Sequence, residues 1–210
     1  MKITIIGATG FVGSALLTEA LSRGHDVTAI VRDGSRVPAG PTVREIDASD
    51  AGALEPVLKG QDVVISAFNP GWDDPEIYAK YRQGSAAIAA AAAKAGVRLI
   101  VVGGAGSLYA PDGSQFVDSD AFPAQWKEGA RAARDHLAEL KAGSGLDWTF
   151  VSPAFELAPG ERTAKYRVGG ETPVFDDAGA SKISVADLAV AILDEAERPA
   201  HRGRRFTVGY

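Results

Sequence analysis

The sequence predicts a doubly wound α/β fold: a parallel sheet with helices on both faces and a small β excursion in the C-terminal third. Three observations carry this expectation. Short β-branched runs alternate with longer amphipathic or alanine-rich stretches, and those runs are apolar nearly throughout, as strands covered on both faces are. A glycine-rich turn, IIGATGFVG at residues 5–13, joins the first run to the first helical stretch. Right-handed crossovers between such strands build the doubly wound order.

Strands are expected at Ile3–Ile6, Val27–Val31, Thr42–Ile46, Val63–Ser66, Leu99–Val102, Trp148–Val151 and Arg205–Val208. Between them, helices are expected near Gly10–Arg23, Ala51–Leu58, Pro75–Ala95, Pro123–Ala142 and Val185–Glu197. Asp73 or Asp74 would cap the third helix, with Pro75 in its first turn. The alanine run from Ala86 to Ala93 suits close packing on the sheet or against a partner subunit. The rhythm breaks between Ala164 and Ile183, where Gly-Gly and Asp-Asp-Ala-Gly turns flank short extended pieces. Residues 152–183 are expected to form a substrate-side lid over the carboxyl ends of the strands. The whole of 1–210 reads as one domain.

Composition narrows the chemistry. A formal net charge of −5 argues against nucleic acid or an anionic membrane surface as partner. The absence of cysteine excludes disulfides, zinc-thiolate sites and thiol catalysis. His25, His136 and His201 are scattered without ligand spacing, so no metal site is expected. No sharp elbow presents a nucleophile to His136 and Asp135, which leaves hydrolysis unsupported. The first apolar run breaks at Gly7, as a strand does and a signal peptide does not, and the stretch SAAIAAAAAKAG is too short and weakly apolar to span a bilayer. A cytoplasmic monomer or homodimer is expected.

The glycine loop sits between a strand and a helix, the context in which G-x-x-G-x-x-G binds a dinucleotide. Gly7 permits the turn, Gly10 lets a pyrophosphate approach the backbone, and Gly13 lets the helix pack on the sheet. Thr9, Phe11 and Val12 complete the cradle, whose free N–H groups and positive dipole end face the phosphates. After the second strand come Arg32, Asp33, Ser35 and Arg36. Arg32, Ser35 and Arg36 suit a 2′-phosphate, and so NADP(H) over NAD(H); Asp33 lies where an NAD-type acid is also expected.

With GATGFVG, VRDGSR, VVGGAGS, DWTFVSPA and RRFTVGY in that order, the whole chain resembles the atypical short-chain dehydrogenase/reductases. More narrowly it resembles the NmrA-like, NAD(P)H-binding group often labelled NADH-flavin reductases, with biliverdin reductase B more distant. The resemblance implies a Rossmann fold and further cofactor contacts. Asp47 would lie near the adenine, and Ser66, Ala67 and Phe68 on the adenosine ribose side. Gly103, Gly104 and Ala105 would approach the nicotinamide ribose, while Ser152, Pro153 and Ala154 would border the ring.

One family feature is missing. Members with carbonyl or epimerase chemistry pair Tyr with Lys four residues on, the Lys lowering the Tyr pKa for proton transfer. Here the fourth long helix begins FPAQWKEG, Tyr78 and Arg82 stand in the wrong element, and the usual serine is displaced to Ser107. A flavin accepts hydride directly, so stacking and orientation matter more than an acid. Phe68, Trp72, Tyr109, Phe122, Trp126 and Phe155 could stack, and Tyr109, Trp126 and Lys127 are the substrate-side candidates for catalysis. The leading expectation is an NAD(P)H-dependent oxidoreductase passing hydride to a flavin, quinone or similar small conjugated acceptor, with FMN or FAD as substrate. Alternatives are a redox sensor that binds NAD(P) without turnover, and a sugar-nucleotide epimerase or dehydratase, against which the short C-terminal third argues.

Overall fold

The computed structural model describes all of residues 1–210. All seven expected strands and five expected helices form, with ends shifted by at most two residues. Strands β1 (Lys2–Ile6), β2 (Asp26–Val31), β3 (Thr42–Glu45), β4 (Val63–Ser66), β5 (Arg98–Val102) and β6 (Trp148–Ser152) run parallel. They are interleaved with helices α1 (Phe11–Ser22), α2 (Ala51–Leu58), α3 (Ile77–Ala95) and α4 (Ala124–Ala142). Three short strands follow, β7 (Glu156–Ala158), β8 (Arg167–Gly169) and β9 (Lys182–Ser184), then α5 (Val185–Glu197) and β10 (Arg204–Gly209).

The main sheet has the order β3-β2-β1-β4-β5-β6-β10-β8. From β1 the chain winds outward to β3, then returns to β4 on the other side of β1. That reversal opens a crevice at the carboxyl ends of β1 and β4, where such folds bind ligands.

Strand alternation divides the core between the two faces. Ile3, Ile5, Val27, Ala29 and Phe206 face α1 and α5, against Leu16, Leu17, Leu188 and Ile192. Ile6, Ile30, Val64, Leu99 and Phe150 face the other side, against Leu54, Leu58, Ile88 and Leu137. Each fully buried Ile or Leu contributes roughly 1.5–3 kcal/mol. At the amino edge, buried Arg98 donates to the Glu195 carbonyl and to Thr149 Oγ1, both at 2.9 Å, and pairs with the Glu195 carboxylate. This ties α5 to β5 and β6 on the edge away from the crevice.

Two local expectations need correction. The first turn of α3 is not capped by an aspartate: Glu76 is the cap residue without a side-chain bond, and Asp74 instead accepts the Glu76 N–H at 2.8 Å and pairs with Lys80. The excursion does not simply lie over the carboxyl ends. β8 adds to the main sheet antiparallel to Thr207–Gly209, and β9 pairs in parallel with β7. Between β7 and β8 the chain forms a strap over α1 and α5. Arg162 grips the Glu19 carboxylate at 2.7 and 2.8 Å, and Tyr166 donates to Asp194 at 2.6 Å. Buried Asp187 accepts from Thr163 N, Thr163 Oγ1, Ala164 N and the Tyr210 hydroxyl, all within 2.8 Å, which holds Ala164 at φ +54.

Candidate nucleotide and acceptor site

The three glycines of the loop do different work. Gly7 has φ +79, and a Cβ there would stand 2.7 Å from the Ala67 carbonyl oxygen at the end of β4. Both facts demand glycine. At Gly13 a Cβ would stand 2.0 Å from the Gly7 carbonyl oxygen, so only glycine lets α1 approach the turn. Gly10 is different: its backbone is ordinary, and a Cβ would meet only the Gly7 oxygen at 3.3 Å. Space in front of Gly10 is open.

Gly10 is also the cap residue of α1, with no side-chain cap, and Ser14 makes the first intrahelical bond, to the Gly10 carbonyl. The N–H groups of Phe11, Val12 and Gly13 are thus left for a ligand. No acidic side chain occupies this turn. Thr9 is partly buried and Phe11 exposed beside it. An open backbone cradle with free donors at a helix start fits a pyrophosphate.

At the end of β2, Asp33 is engaged by its own turn, accepting the Ser35 N–H at 2.9 Å. That bond is the main reason its carboxyl lies below the usual range. Arg32, Ser35 and Arg36 are exposed, and neither arginine has an ion pair. Asp47, after β3, accepts from Ser49 N and Oγ at 2.8 Å; these bonds, and the Arg32 charge, hold its carboxyl low. The free groups at this end are therefore cationic.

The remaining candidates line the strand ends, several through backbone alone. Ser66 is buried, and the Ala67 N–H continues the β1 ladder to Ile6. The Phe68 ring turns into α3, where it occupies the notch at Gly84 and lies 6.1 Å from the Tyr81 ring. Gly103 is required by packing: a Cβ would stand 1.9 Å from the Phe150 ring. Gly104 faces open space and Ala105 starts the turn that follows. Ser152, Pro153 and Ala154 are buried, and Ser152 Oγ has no partner.

Among the substrate-side candidates, Tyr109 lies under the Arg205 guanidinium, 5.7 Å from the ring centre. Arg205 was not among the sequence candidates, although an arginine in the apolar run RRFTVG is the signal for it. Its side chain is buried; it donates to Ser107 O and Oγ at 2.8 Å and pairs with Glu171. The serine after β5 is thereby committed to fixing its own loop. Trp126 is 48% exposed, and Lys127 beside it is partly buried with no ion pair. Trp72 is 53% exposed on one face, while its ring edge rests where a Cβ on Gly129 would be. Phe155 meets Phe116 edge-on at 4.7 Å and Phe175 at 6.3 Å. Phe116 and Phe175 were missed, because loop residues distant in sequence give no periodic signal.

Other groups are engaged elsewhere. Tyr78 donates to Asp135 at 2.7 Å and accepts from Arg82, tying α3 to α4. No three His, Cys, Asp or Glu side chains gather to hold a metal. No helix is long and apolar enough to cross a membrane.

Comparisons with known proteins show the family and the fold. The family model described as NAD(P)H-binding matches residues 7–196. The YwnB protein of Bacillus subtilis is 39% identical over 99% of this chain and 98% of its own length. A candidate epimerase from Bacteroides thetaiotaomicron is 42% identical, with a TM-score of 0.93 over 100% of this chain and 96% of its own. A candidate NADH-flavin reductase from Streptococcus pneumoniae is 35% identical, with a TM-score of 0.89 over 100% and 99%.

Proposed function

Because the chain belongs to the NAD(P)H-binding family, we propose that it is an NADPH-dependent reductase of flavins, quinones or similar conjugated acceptors. The carrying observation is the set of exposed aromatic rings at the edge where the glycine loop opens. Of seven exposed large apolar side chains, Phe11 follows β1, Trp72 follows β4 and Phe155 follows β6, while Trp126 stands in the first turn of α4 and Phe175 lies against Phe155. Exposed aromatics gathered on one edge mark a binding site rather than ordinary surface. The flavin-reductase designation of the Streptococcus pneumoniae relative supports the same acceptor class.

The reduced nicotinamide, when bound, supplies the hydride. The N–H groups of Phe11, Val12 and Gly13 hold the pyrophosphate, and Arg32, Ser35 and Arg36 hold the 2′-phosphate that favours NADPH. Gly104, having no side chain, lets the nicotinamide end approach the backbone. Trp126, Trp72 and Phe155 stack on the acceptor and exclude water from its face. Arg205 fixes the loop that carries Tyr109, so the phenol borders the same space. A conjugated acceptor takes hydride at a ring position and its proton from water, which removes the need for the missing Tyr/Lys pair.

A steady-state screen with FMN, FAD, riboflavin and quinones tests the reading. Oxidation of NADPH by members of the panel is expected. No oxidation at high enzyme concentration overturns it, and tight nucleotide binding without turnover would point to a redox sensor instead.

A further inference from the structure

Alanines leave room where bulkier side chains would fill it. Ala86, Ala89 and Ala93 stand three and four residues apart, on one face of α3. On α4, His136 and Leu140 stand four apart and so share a face as well. With Trp148, the first residue of β6, the two rows line a groove of about 340 Å³. Small-molecule sites begin near ~300 Å³, so this one is large enough. The second halves of both helices and the start of β6 put it at the amino edge of the sheet, opposite the nucleotide crevice.

One polar side chain in this groove lacks a bond. His136 lines it and is only 2% exposed, yet its enclosed Nδ1 has no hydrogen-bond partner. Glu139 Oε2 stands 3.7 Å from that nitrogen, beyond hydrogen-bond reach, and the Glu139 carboxylate is already paired with Arg82. Burial holds the imidazole below its ordinary pKa, against the pull of Glu139, so the ring is neutral near pH 7. A buried polar group is costly unless something bonds to it.

These features define the ligand's chemistry. Alanine and leucine walls beside the Trp148 ring suit a flat, apolar body. A neutral imidazole with a carboxylate close by offers nothing to an anion. A hydroxyl can donate to an imidazole nitrogen or accept from it, and so suits either tautomer.

We propose that the groove between α3 and α4 binds a small aromatic alcohol, a phenol of one or two rings, whose hydroxyl bonds to the His136 imidazole. The site is separate from the nucleotide crevice and does not depend on the reductase reading.

Calorimetric titration with 4-bromophenol and with bromobenzene tests it, since the two differ only by the hydroxyl. One hydrogen bond predicts that the phenol binds about fivefold tighter. His136→Phe keeps the bulk of the ring and removes both nitrogens. It should bring the ratio close to one and leave Tm unchanged or higher, because a buried unpaired group is gone. Ala93→Phe, at an exposed position on the groove's wall, should abolish binding of both compounds. Trp126→Ala, at the other end of α4, should bind them as the wild type does, and the bromine's anomalous signal in a soaked crystal should lie between α3 and α4. Equal binding of the two compounds, a ratio that survives His136→Phe, or loss of binding in Trp126→Ala overturns the proposal. So does a dimer that Ala93→Phe breaks and that binds no phenol, which would give the groove to a second copy of the chain.

Discussion

Replacing Gly10 and Gly13 separately by alanine should split ligand binding from folding. A Cβ at Gly13 would lie 2.0 Å from the Gly7 oxygen, 2.8 Å from its carbonyl carbon and 3.0 Å from Ala8 Cα. All three are backbone atoms, so α1 itself must move. Overpacking of this kind costs about 3 kcal/mol, and in a chain of this size lowers Tm by roughly 6–12 °C. A Cβ at Gly10 meets only one atom, at 3.3 Å, and the residue's φ of −76° suits alanine. Exchanging glycine for alanine at a helix cap costs under about 1 kcal/mol, so Tm should fall by roughly 3 °C or less. The new methyl would instead fill the space in front of the free N–H groups. NADPH binding, followed by fluorescence titration, should weaken by about tenfold or more in Gly10→Ala. If Gly10→Ala binds NADPH as the wild type does, or melts lower than Gly13→Ala, the assignment of these glycines is wrong.

Three further outcomes follow from the geometry. Arg32→Ala should weaken NADPH about tenfold more than NADH, since only NADPH carries the 2′-phosphate; equal losses in paired titrations would remove that argument. Phe155→Ala should raise the KM for the acceptor several-fold while the dissociation constant for NADPH stays put, and a loss confined to NADPH would misplace the acceptor platform. Asp187 governs the strap. Burial pushes its carboxyl up, but bonds from Thr163, Tyr210 and Ala164 outweigh that, leaving it below its ordinary value. A lowered folded-state pKa contributes stability above the unfolded value, near ~4, that is lost as pH falls through it. Asp187→Asn should therefore lower Tm at neutral pH by roughly 4–12 °C, for about 2–3 kcal/mol, and the gap to wild type should narrow towards pH 3 (about one unit below that value). A gap that widens on acidification would contradict this.

Local rules were enough to read most of the fold. β-branched runs with a helical period between them located each parallel strand, because a strand covered on both faces must be apolar along its length. The spacing of Gly7, Gly10 and Gly13 likewise announced the turn between β1 and α1. What stayed hidden depended on partners far along the chain. Gly103 resembles a loop glycine in sequence, yet its need arises from the Phe150 ring on the next strand. Phe68 reads as a stacking residue, yet a notch at Gly84 draws its ring into α3. The turns of the excursion were visible, but three-residue strands carry too little pattern to reveal that β8 pairs with β10 and β7 with β9. Arg205 stood in plain view within an apolar run, and only the folded loop shows that it holds Ser107 and covers Tyr109.

Hydride transfer at this edge is the central claim, and a single-turnover experiment with NADPH deuterated at the transferred position tests it most directly. Mixed with the best acceptor of the panel, the enzyme should oxidise the labelled nucleotide more slowly than the unlabelled one, with deuterium or its exchange product recovered from the reduced acceptor. Tight binding of NADPH with no acceptor-dependent oxidation of either isotopologue would contradict the account.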